Sequence, residues 1–351
     1  MLGFCLKIAY VVGGNLSSTS GVTKKILAAA LEWAGLGHSV VIVAYGESRV
    51  ISKVAEFVAL DPKQRIGNKV SFAFSLFQQY RFLRSSLEEI QPDIVYGRYP
   101  FPLWFPEKAY GCCCPFVLEI NTDDFVEYGL SSKFKGFLNR AFRSLTIKAA
   151  SGLVFVTEEL QDSRSFSFFK GPVVTIGNPC LPPFIATKAP ENHKLTFGFA
   201  GSPGQSWHGI DKIFELARRL KFAHFEIVGL DHDCVSHASS QAPANVEFLG
   251  RLKGNELDRK LEGWDVGICS LALHRNQMKD ACPLKSRLYM SRGLPMVYAY
   301  NDPDLDGSEV FALKISNSDH NIIENWNAIH RFALSVKQDR FMRGRAVQFA
   351  E

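Results

Sequence analysis

The segment Asp280–Val297 (DACPLKSRLYMSRGLPMV) carries the residue pattern best suited to holding an anion. Pro283 has the fixed φ and missing N–H that suit the first position of a helix. Leu284, Lys285 and Ser286 then present backbone amides at the helix mouth, and Lys285 adds a full positive charge. Together they make a site for a diphosphate. Asp280 precedes the helix and could accept a sugar hydroxyl, although an acidic residue also simply favours a helix start. Gly293 and Pro295 stop the helix before the next strand.

Two further loops have the composition of ligand cradles. Gly201–Gly209 (GSPGQSWHG) lies between a strand and a helix and holds Gly201, Ser202 and His208. His208, just before that helix, could donate to an anionic ligand there or be a solvated loop histidine. Gly13–Thr23 (GGNLSSTSGVT) brings Ser20 and Gly21 to the mouth of the first helix. It has neither the dinucleotide fingerprint nor a P-loop lysine, and a plain turn reads equally well. The stretch EINTDD at Glu119–Asp124 follows an apolar strand. Glu119, Asn121, Asp123 and Asp124 could position an acceptor hydroxyl or act as a base, or cap the following helix. Arg98, after DIVYG, could bind phosphate or acceptor, or be a surface arginine. His232 and His237, with Asp231 and Asp233, lack a third ligand at regular spacing, so no metal is expected.

The elements that must position these residues follow a repeated order of short apolar strand, loop and amphipathic helix. Candidate strands are Lys7–Val12, Ser39–Ala44, Asp93–Tyr96, Pro115–Ile120 and Gly152–Val156, then Leu195–Ala200, His224–Val228, Val246–Leu249, Asp265–Cys269 and Met296–Ala299. Near-continuous apolar runs of this length imply strands buried on both faces, hence parallel sheets. Helices are expected over Val22–Gly35, with Ile26, Leu27, Ala30, Leu31 and Ala34 inward, and over Gly209–Leu220, with Ile210, Ile213, Phe214, Ala217 and Leu220 inward. Gly171–Pro190 has five prolines in twenty residues and forbids long regular structure. The expected fold is therefore α/β: two Rossmann-like domains, 1–180 and 195–351, joined by a hinge at 181–194 and facing a central cleft. In such sheets ligands bind at the carboxyl ends of the strands.

Composition sets the outer bounds. A chain of 351 residues is long enough for about two domains. Forty Lys+Arg against 35 Asp+Glu give a net +5, too little for a dedicated nucleic-acid binder. No apolar run reaches the ~18–20 residues of a membrane helix, and the N-terminus lacks a signal-peptide pattern. The eight cysteines form no C-x2-C pair and read as buried thiols of a reducing compartment, so a cytoplasmic chain is expected. The helix expected at Lys133–Ala149 sets apolar residues at 134, 137, 138, 141, 142 and 145 beside Lys133, Lys135, Arg140, Arg143 and Lys148. It reads as a core-packed helix with a solvated basic face, or as a peripheral contact through Lys133–Lys148 with an anionic membrane.

PLKSRLYMSRGLPMV resembles the nucleotide-sugar segment of the group-1 (family 4) glycosyltransferases of the GT-B fold. The Gly-rich first loop, EINTDD, IGNP at Ile176–Pro179, the WHG loop and NVEFLGRL at Asn245–Leu252 fall in that family's order. The resemblance implies an N-terminal acceptor domain and a C-terminal nucleotide-sugar domain. It also implies transfer of a sugar from a nucleotide-diphosphate donor to a glycan or lipid-linked acceptor, with retention, in surface polysaccharide biosynthesis. No metal and no cofactor is implied, since the nucleotide-sugar is a substrate. The implied donor group is Gly201, Ser202, His208, Pro283, Leu284 and Lys285; Asp280, Asn121 and Asp123 would serve the chemistry; Ser20, Gly21, Arg98, Glu119 and Asp124 would serve the acceptor. The family's Glu-x7-Glu reads here as Asp280 and Leu288, its phosphate arginine as Ser202 and the matching lysine as His208. In relatives a last helix returns to the first domain, and here the sequence reaches Arg345–Glu351 about where that helix would begin. A second reading is a non-catalytic sugar-nucleotide-binding subunit of a polysaccharide assembly complex. An NAD-dependent oxidoreductase is disfavoured by the absent dinucleotide fingerprint, and a sugar-nucleotide epimerase ranks only slightly higher.

Overall fold

The computed structural model describes the chain apart from residues 1–4, 14–15, 17–20, 46–55, 61–68, 99–113, 126–132, 187–193, 231–241, 253 and 340, and apart from the side chains of 45, 56–60, 69–76 and 133–135. It divides into two compact units, Met1–Ile176 and Gly177–Glu351.

The first unit contains β1 (Lys7–Val12), α1 (Gly21–Gly35), β2 (Ser39–Tyr45), β3 (Glu56–Leu60), α2 (Lys69–Ile90), β4 (Ile94–Arg98), β5 (Phe116–Ile120), α3 (Lys133–Lys148), β6 (Gly152–Phe155), α4 (Glu158–Gln161) and β7 (Val173–Thr175). Its seven strands lie in the order β3-β2-β1-β4-β5-β6-β7, all parallel. The second unit contains β8 (Thr196–Ala200), α5 (Ile210–Arg219), β9 (His224–Val228), β10 (Val246–Phe248), α6 (Asn255–Glu262), β11 (Val266–Ile268), α7 (Leu284–Ser291), β12 (Met296–Tyr298), β13 (Ala312–Lys314), α8 (Asn321–Gln338) and α9 (Met342–Ala350). Its six parallel strands run β10-β9-β8-β11-β12-β13. Both sheets reverse their strand order beside their first strand, at β1/β4 and at β8/β11. Such switch points open a crevice at the strand ends.

Burial explains the apolar runs. From Ile8 to Val12, β1 is buried throughout, and Phe197 stacks on its register partner Phe225 with centroids 4.9 Å apart. Gly198 lets the indole of Trp264 lie on β8, because a Cβ there would fall 1.7 Å from that ring. Three strands escaped the sequence pattern. The edge strand β7 lies inside the proline-rich stretch, its valines exposed, β13 has three residues, and β3 spans five.

Helix α1 turns Ile26 and Ala30 inward as expected, with Leu27 and Ala34 partly buried, but its buried face also takes in two polar residues. Thr23, Lys25, Ile26 and Ala30 are buried, whereas Leu31 is exposed. The cause is Lys25, whose ion pair with Glu119 fixes the rotation. In α5 the expected Ile213, Phe214, Ala217 and Leu220 are buried, and Ile210 only partly. The described part of the expected hinge packs on the second unit: Ile185 N–H donates to Ser291 O at 3.0 Å, and Arg292 Nη1 donates to Pro183 O at 2.5 Å. The last helix, α9, packs against α7 in the same unit. Among the described cysteines all thiols are free; Cys269 and Cys282 are buried, but Cys5 is exposed, against expectation.

Candidate functional site

The second unit gathers its expected donor residues at the β8/β11 switch point. Helix α7 is anchored from both sides. The Tyr289 hydroxyl accepts from Ala200 N–H at 3.0 Å and donates to Ile268 O at 3.4 Å, joining the helix to the ends of β8 and β11. Arg287 Nη1 and Nη2 donate to the two oxygens of Asp302 at 3.1 and 2.7 Å, Nη2 to Asp304 at 2.6 Å, and Nε to Asn178 O at 2.8 Å. The helix closes in a Schellman motif: Gly293, at φ +64°, donates to Met290 O and Leu294 donates to Tyr289 O. At the other end Pro283 is the N-cap, one position earlier than expected, with φ −78° and ψ 143°; no side chain caps the first turn.

Lys285 leaves that first turn towards the sheet. Its Nζ is buried, has no hydrogen-bond partner, and lies 4.1 Å from the centroid of Phe199 on β8. Burial pushes its pKa down to about 7. The Phe199 ring also meets His208 edge-on, 5.1 Å between centroids, and a Cβ on Gly201 would strike both rings. Gly201, His208 and Lys285 are thus packed around one phenyl ring. His208 is not the solvated cation that the loop suggested. Burial, and then the charge of Lys285, hold its pKa down to about 2, and its ring is hydrogen-bonded to the Ser202 backbone. A neutral imidazole whose N–H is engaged by a backbone carbonyl forms a wall of the site and adds no charge to it.

Beside this group lies a pocket of ≈ 370 Å³ lined by the 202–206 loop, His208, Asp211, Leu230 and Arg275 among others. Arg275 was missed in the sequence. It grips Asp211 with two bonds of 2.8 and 2.7 Å and reaches Ser206 O at 3.3 Å, clamping the loop after β11 onto the first turn of α5. Asp280 lies partly exposed beyond the end of β12, bridged to Asn301, whose Nδ2 donates to Asp280 Oδ1 at 2.8 Å. Leu288 is half-buried on α7.

The residues expected to receive an acceptor are in the first unit and form two groups. Glu119 is buried at the end of β5. It accepts from Lys25 Nζ at 2.8 Å, from Asn121 Nδ2 at 2.6 Å and from the Tyr96 hydroxyl at 2.9 Å. Burial pushes its pKa up, but the ion pair and hydrogen bonds of Lys25, with Asn121 and the charge of Arg98, outweigh this and lower it. Arg98 is half-buried with an unpartnered Nη1. Asp124 is likewise internal, paired with Arg143 at 2.7 and 2.8 Å and with Asn139. Asp123 caps locally, accepting from Phe125 N–H at 3.0 Å and Ser165 Oγ at 2.7 Å. Both acidic groups therefore brace the strand end. Gly21 is the exposed first residue of α1, and Ser20 lies outside the described residues. The 231–241 segment with its histidines is also outside them.

The chain thus has two Rossmann-like α/β domains, the second with a lysine at a helix mouth over its switch point. Residues 19–180 match the family Glycosyltransferase Family 4. The fold is similar to three solved structures in particular. Sucrose-phosphate synthase from Thermosynechococcus elongatus has a TM-score of 0.72 at 12% identity, covering 98% of this chain and 94% of that one. WaaG, a glycosyltransferase involved in lipopolysaccharide biosynthesis, has a TM-score of 0.68 at 14% identity, covering 98% and 95%. An alpha-glucosyltransferase in complex with UDP-glucose and DNA containing an abasic site has 0.62 at 11%, covering 99% and 94%. At such identities the likeness is one of fold. A search of curated proteins finds no match. Among the described residues no helix is long and apolar enough to cross a membrane.

Proposed function

We propose that the second domain holds a nucleotide-diphosphate sugar, and that the sugar passes to a glycan or lipid-linked acceptor taken by the first domain, with retention, in surface polysaccharide biosynthesis. The observation that carries this reading is the buried, unpartnered ammonium of Lys285 on the uncapped first turn of α7. A buried cation without a counter-ion is costly, and a ligand that supplies negative charge removes that cost.

The chemistry assigned to these residues is leaving-group stabilisation. As the bond from the anomeric carbon to the phosphate oxygen breaks, its electron pair gathers on the departing phosphate. Lys285 and the amides from Leu284 onward meet that charge. Gly201 and Ser202 give backbone room for the diphosphate, His208 walls the site, and Asp280 holds sugar hydroxyls. Acceptor alignment falls to Asn121 and Asp123, with Ser20, Gly21 and Arg98 near the strand ends. The reading includes no metal. Isothermal titration with a panel of nucleoside diphosphates tests it: one should bind, and Lys285→Ala should abolish the binding. Failure of every nucleotide, or unchanged affinity in the variant, defeats the assignment. Support comes from similar folds whose bound ligands include UDP and UDP-glucose.

A further inference from the structure

The sheet of the second unit sets three metal-ligating side chains on one face. His224 and Glu226 are the first and third residues of β9, so both project to the same side. Glu247 is the register partner of Glu226 on the neighbouring edge strand β10, and side chains of register partners share a face. The three converge. His224 Nε2 lies 3.1 Å from Glu247 Oε2 and 3.8 Å from Glu226 Oε1, and one ligand atom from each residue lies within 4.8 Å of the other two.

Glu226 is held in place from behind. Its other oxygen, Oε2, accepts from Trp264 Nε1 at 2.8 Å. The indole reaches it because Gly198, the register partner of Glu226 on β8, has no side chain in the way. A carboxylate oriented by such an outer partner presents its free oxygen in a fixed direction, as metal-ligating carboxylates do. Hydrogen bonding alone does not account for the convergence. One Nε2–H serves one acceptor, and the 3.8 Å contact is too long for a second bond. Lys260 on α6 donates to Glu226 Oε1 at 3.0 Å, but that side chain is 38% exposed and brings one positive charge to two carboxylates. A divalent cation between the three residues would engage all of them at once.

The donor set selects the ion. Bonds of about 2.0–2.2 Å at tetrahedral angles put the ligand atoms of a zinc ion about 3.4 Å apart. The separations of 3.1 and 3.8 Å fall on either side of that value. An imidazole favours zinc and its transition-metal neighbours, whereas calcium and magnesium ask for six or more oxygens. A pocket of ≈ 600 Å³, lined by Thr196, His224, Glu226 and Lys260 among others, gives water access to a fourth position. We propose that His224, Glu226 and Glu247 bind a zinc-type divalent cation, which ties the edge strand β10 to β9. The site lies where β8 and β9 begin, whereas the donor residues gather where β8 and β11 end. The ion takes no part in the sugar transfer.

The test is calorimetric titration of the full chain with zinc chloride, after treatment with EDTA and its removal. Accessible thiols are first alkylated with iodoacetamide, because Cys5 is exposed and thiolates compete for zinc. One ion should bind per chain, and cobalt(II) in its place should give the strong visible absorption of a four-coordinate site. Zinc should also raise the melting temperature. His224→Ala and Glu247→Gln should each weaken binding at least about 100-fold, beyond the effect of losing an outer partner, and remove the thermal shift. Lys260→Met should strengthen binding at least about threefold, because it removes the ammonium that competes for Glu226 Oε1. Glu247 is half-exposed, so Glu247→Gln should melt like the parent without metal and keeps the test readable if His224→Ala unfolds. No saturable binding, binding that survives Glu247→Gln, or calcium and magnesium binding as tightly as zinc would overturn the proposal. The titration uses no nucleotide, so its outcome is separate from that of the donor site.

Discussion

The Nζ of Lys285 lies 4.1 Å from the centroid of Phe199 and is sealed from water without a hydrogen-bond partner. A cation–π contact offsets only part of the cost of burying that charge. Function and stability should therefore respond in opposite senses to Lys285→Met, which keeps the volume and removes the charge. Affinity for the nucleoside diphosphate should fall at least about 30-fold by titration calorimetry, the scale expected when a buried charge partner is removed. Stability should rise by about 1 kcal/mol or more, seen as a Tm increase of roughly 2–4 °C. A variant that binds normally, or one that loses both binding and stability, contradicts the role given to this lysine.

The same burial makes donor binding pH-dependent. With its pKa held down to about 7, Lys285 is largely neutral at pH 8 in the free protein. A diphosphate beside it favours the charged form, so binding should take up a proton. Affinity should weaken as pH rises from 7 to 9. Calorimetry at pH 8 in two buffers of different ionisation enthalpy should give different apparent binding enthalpies, and Lys285→Ala or Lys285→Met should show no such proton uptake in any residual binding.

His208 supplies a prediction about stability. Its pKa falls from an ordinary 6.5 to about 2 in the folded chain. A group depressed in this way contributes stability fully above its unfolded pKa and loses it as pH falls through that value. Between pH 6.5 and 5 the unfolded chain gains a proton there and the folded chain does not. Melting temperature should decline across this window, and His208→Gln should flatten the decline. Glu119, also lowered, keeps its contribution through this window and loses it only at more acidic pH, below the ordinary carboxylate value.

Most of the fold could be read from the sequence, because runs such as Lys7–Val12 and His224–Val228 are buried on both faces and announce themselves by composition. The strand-to-helix junctions at Gly201–Gly209 and before Leu284 were legible too, because glycine and proline mark where a strand must give way to a helix. Charged residues on the buried faces of helices were not legible. In α1 and α3 they belong to buried ion pairs, Lys25 with Glu119 and Arg143 with Asp124, between residues 94 and 19 positions apart. Neither pairing leaves a periodic trace. That is why Glu119 and Asp124 looked like open carboxylates. The clamp of Arg275 on Asp211 was hidden likewise, its halves 64 positions apart.

The Lys25–Glu119 pair can be tested by cutting it one side at a time. Both side chains are more than nine-tenths buried, 2.8 Å apart. Lys25→Met leaves a buried carboxylate hydrogen-bonded by Asn121 and Tyr96 with only the more distant charge of Arg98 beside it, and Glu119→Gln leaves a buried ammonium facing an amide. Each single change should cost about 3–5 kcal/mol by chemical denaturation, and the double variant should recover much of the loss. Additive losses would mean that the two charges are stabilised separately.

Leu288 permits a gain-of-function test. In the resembling family a carboxylate at the corresponding position holds the ribose hydroxyls, and here a half-buried leucine stands on α7, one turn beyond Lys285. Residues three apart on a helix share a face, so Leu288 and Lys285 lie on one side of α7. Leu288→Glu should restore a charge-assisted hydrogen bond to a ribose, worth about 1.5–3 kcal/mol, hence at least about tenfold in affinity for a nucleoside diphosphate. The gain should vanish for a probe that carries diphosphate but no ribose, such as pyrophosphate. Equal improvement for both probes, or weaker binding of the nucleotide, would show that the ribose is held elsewhere and that α7 meets the phosphates alone.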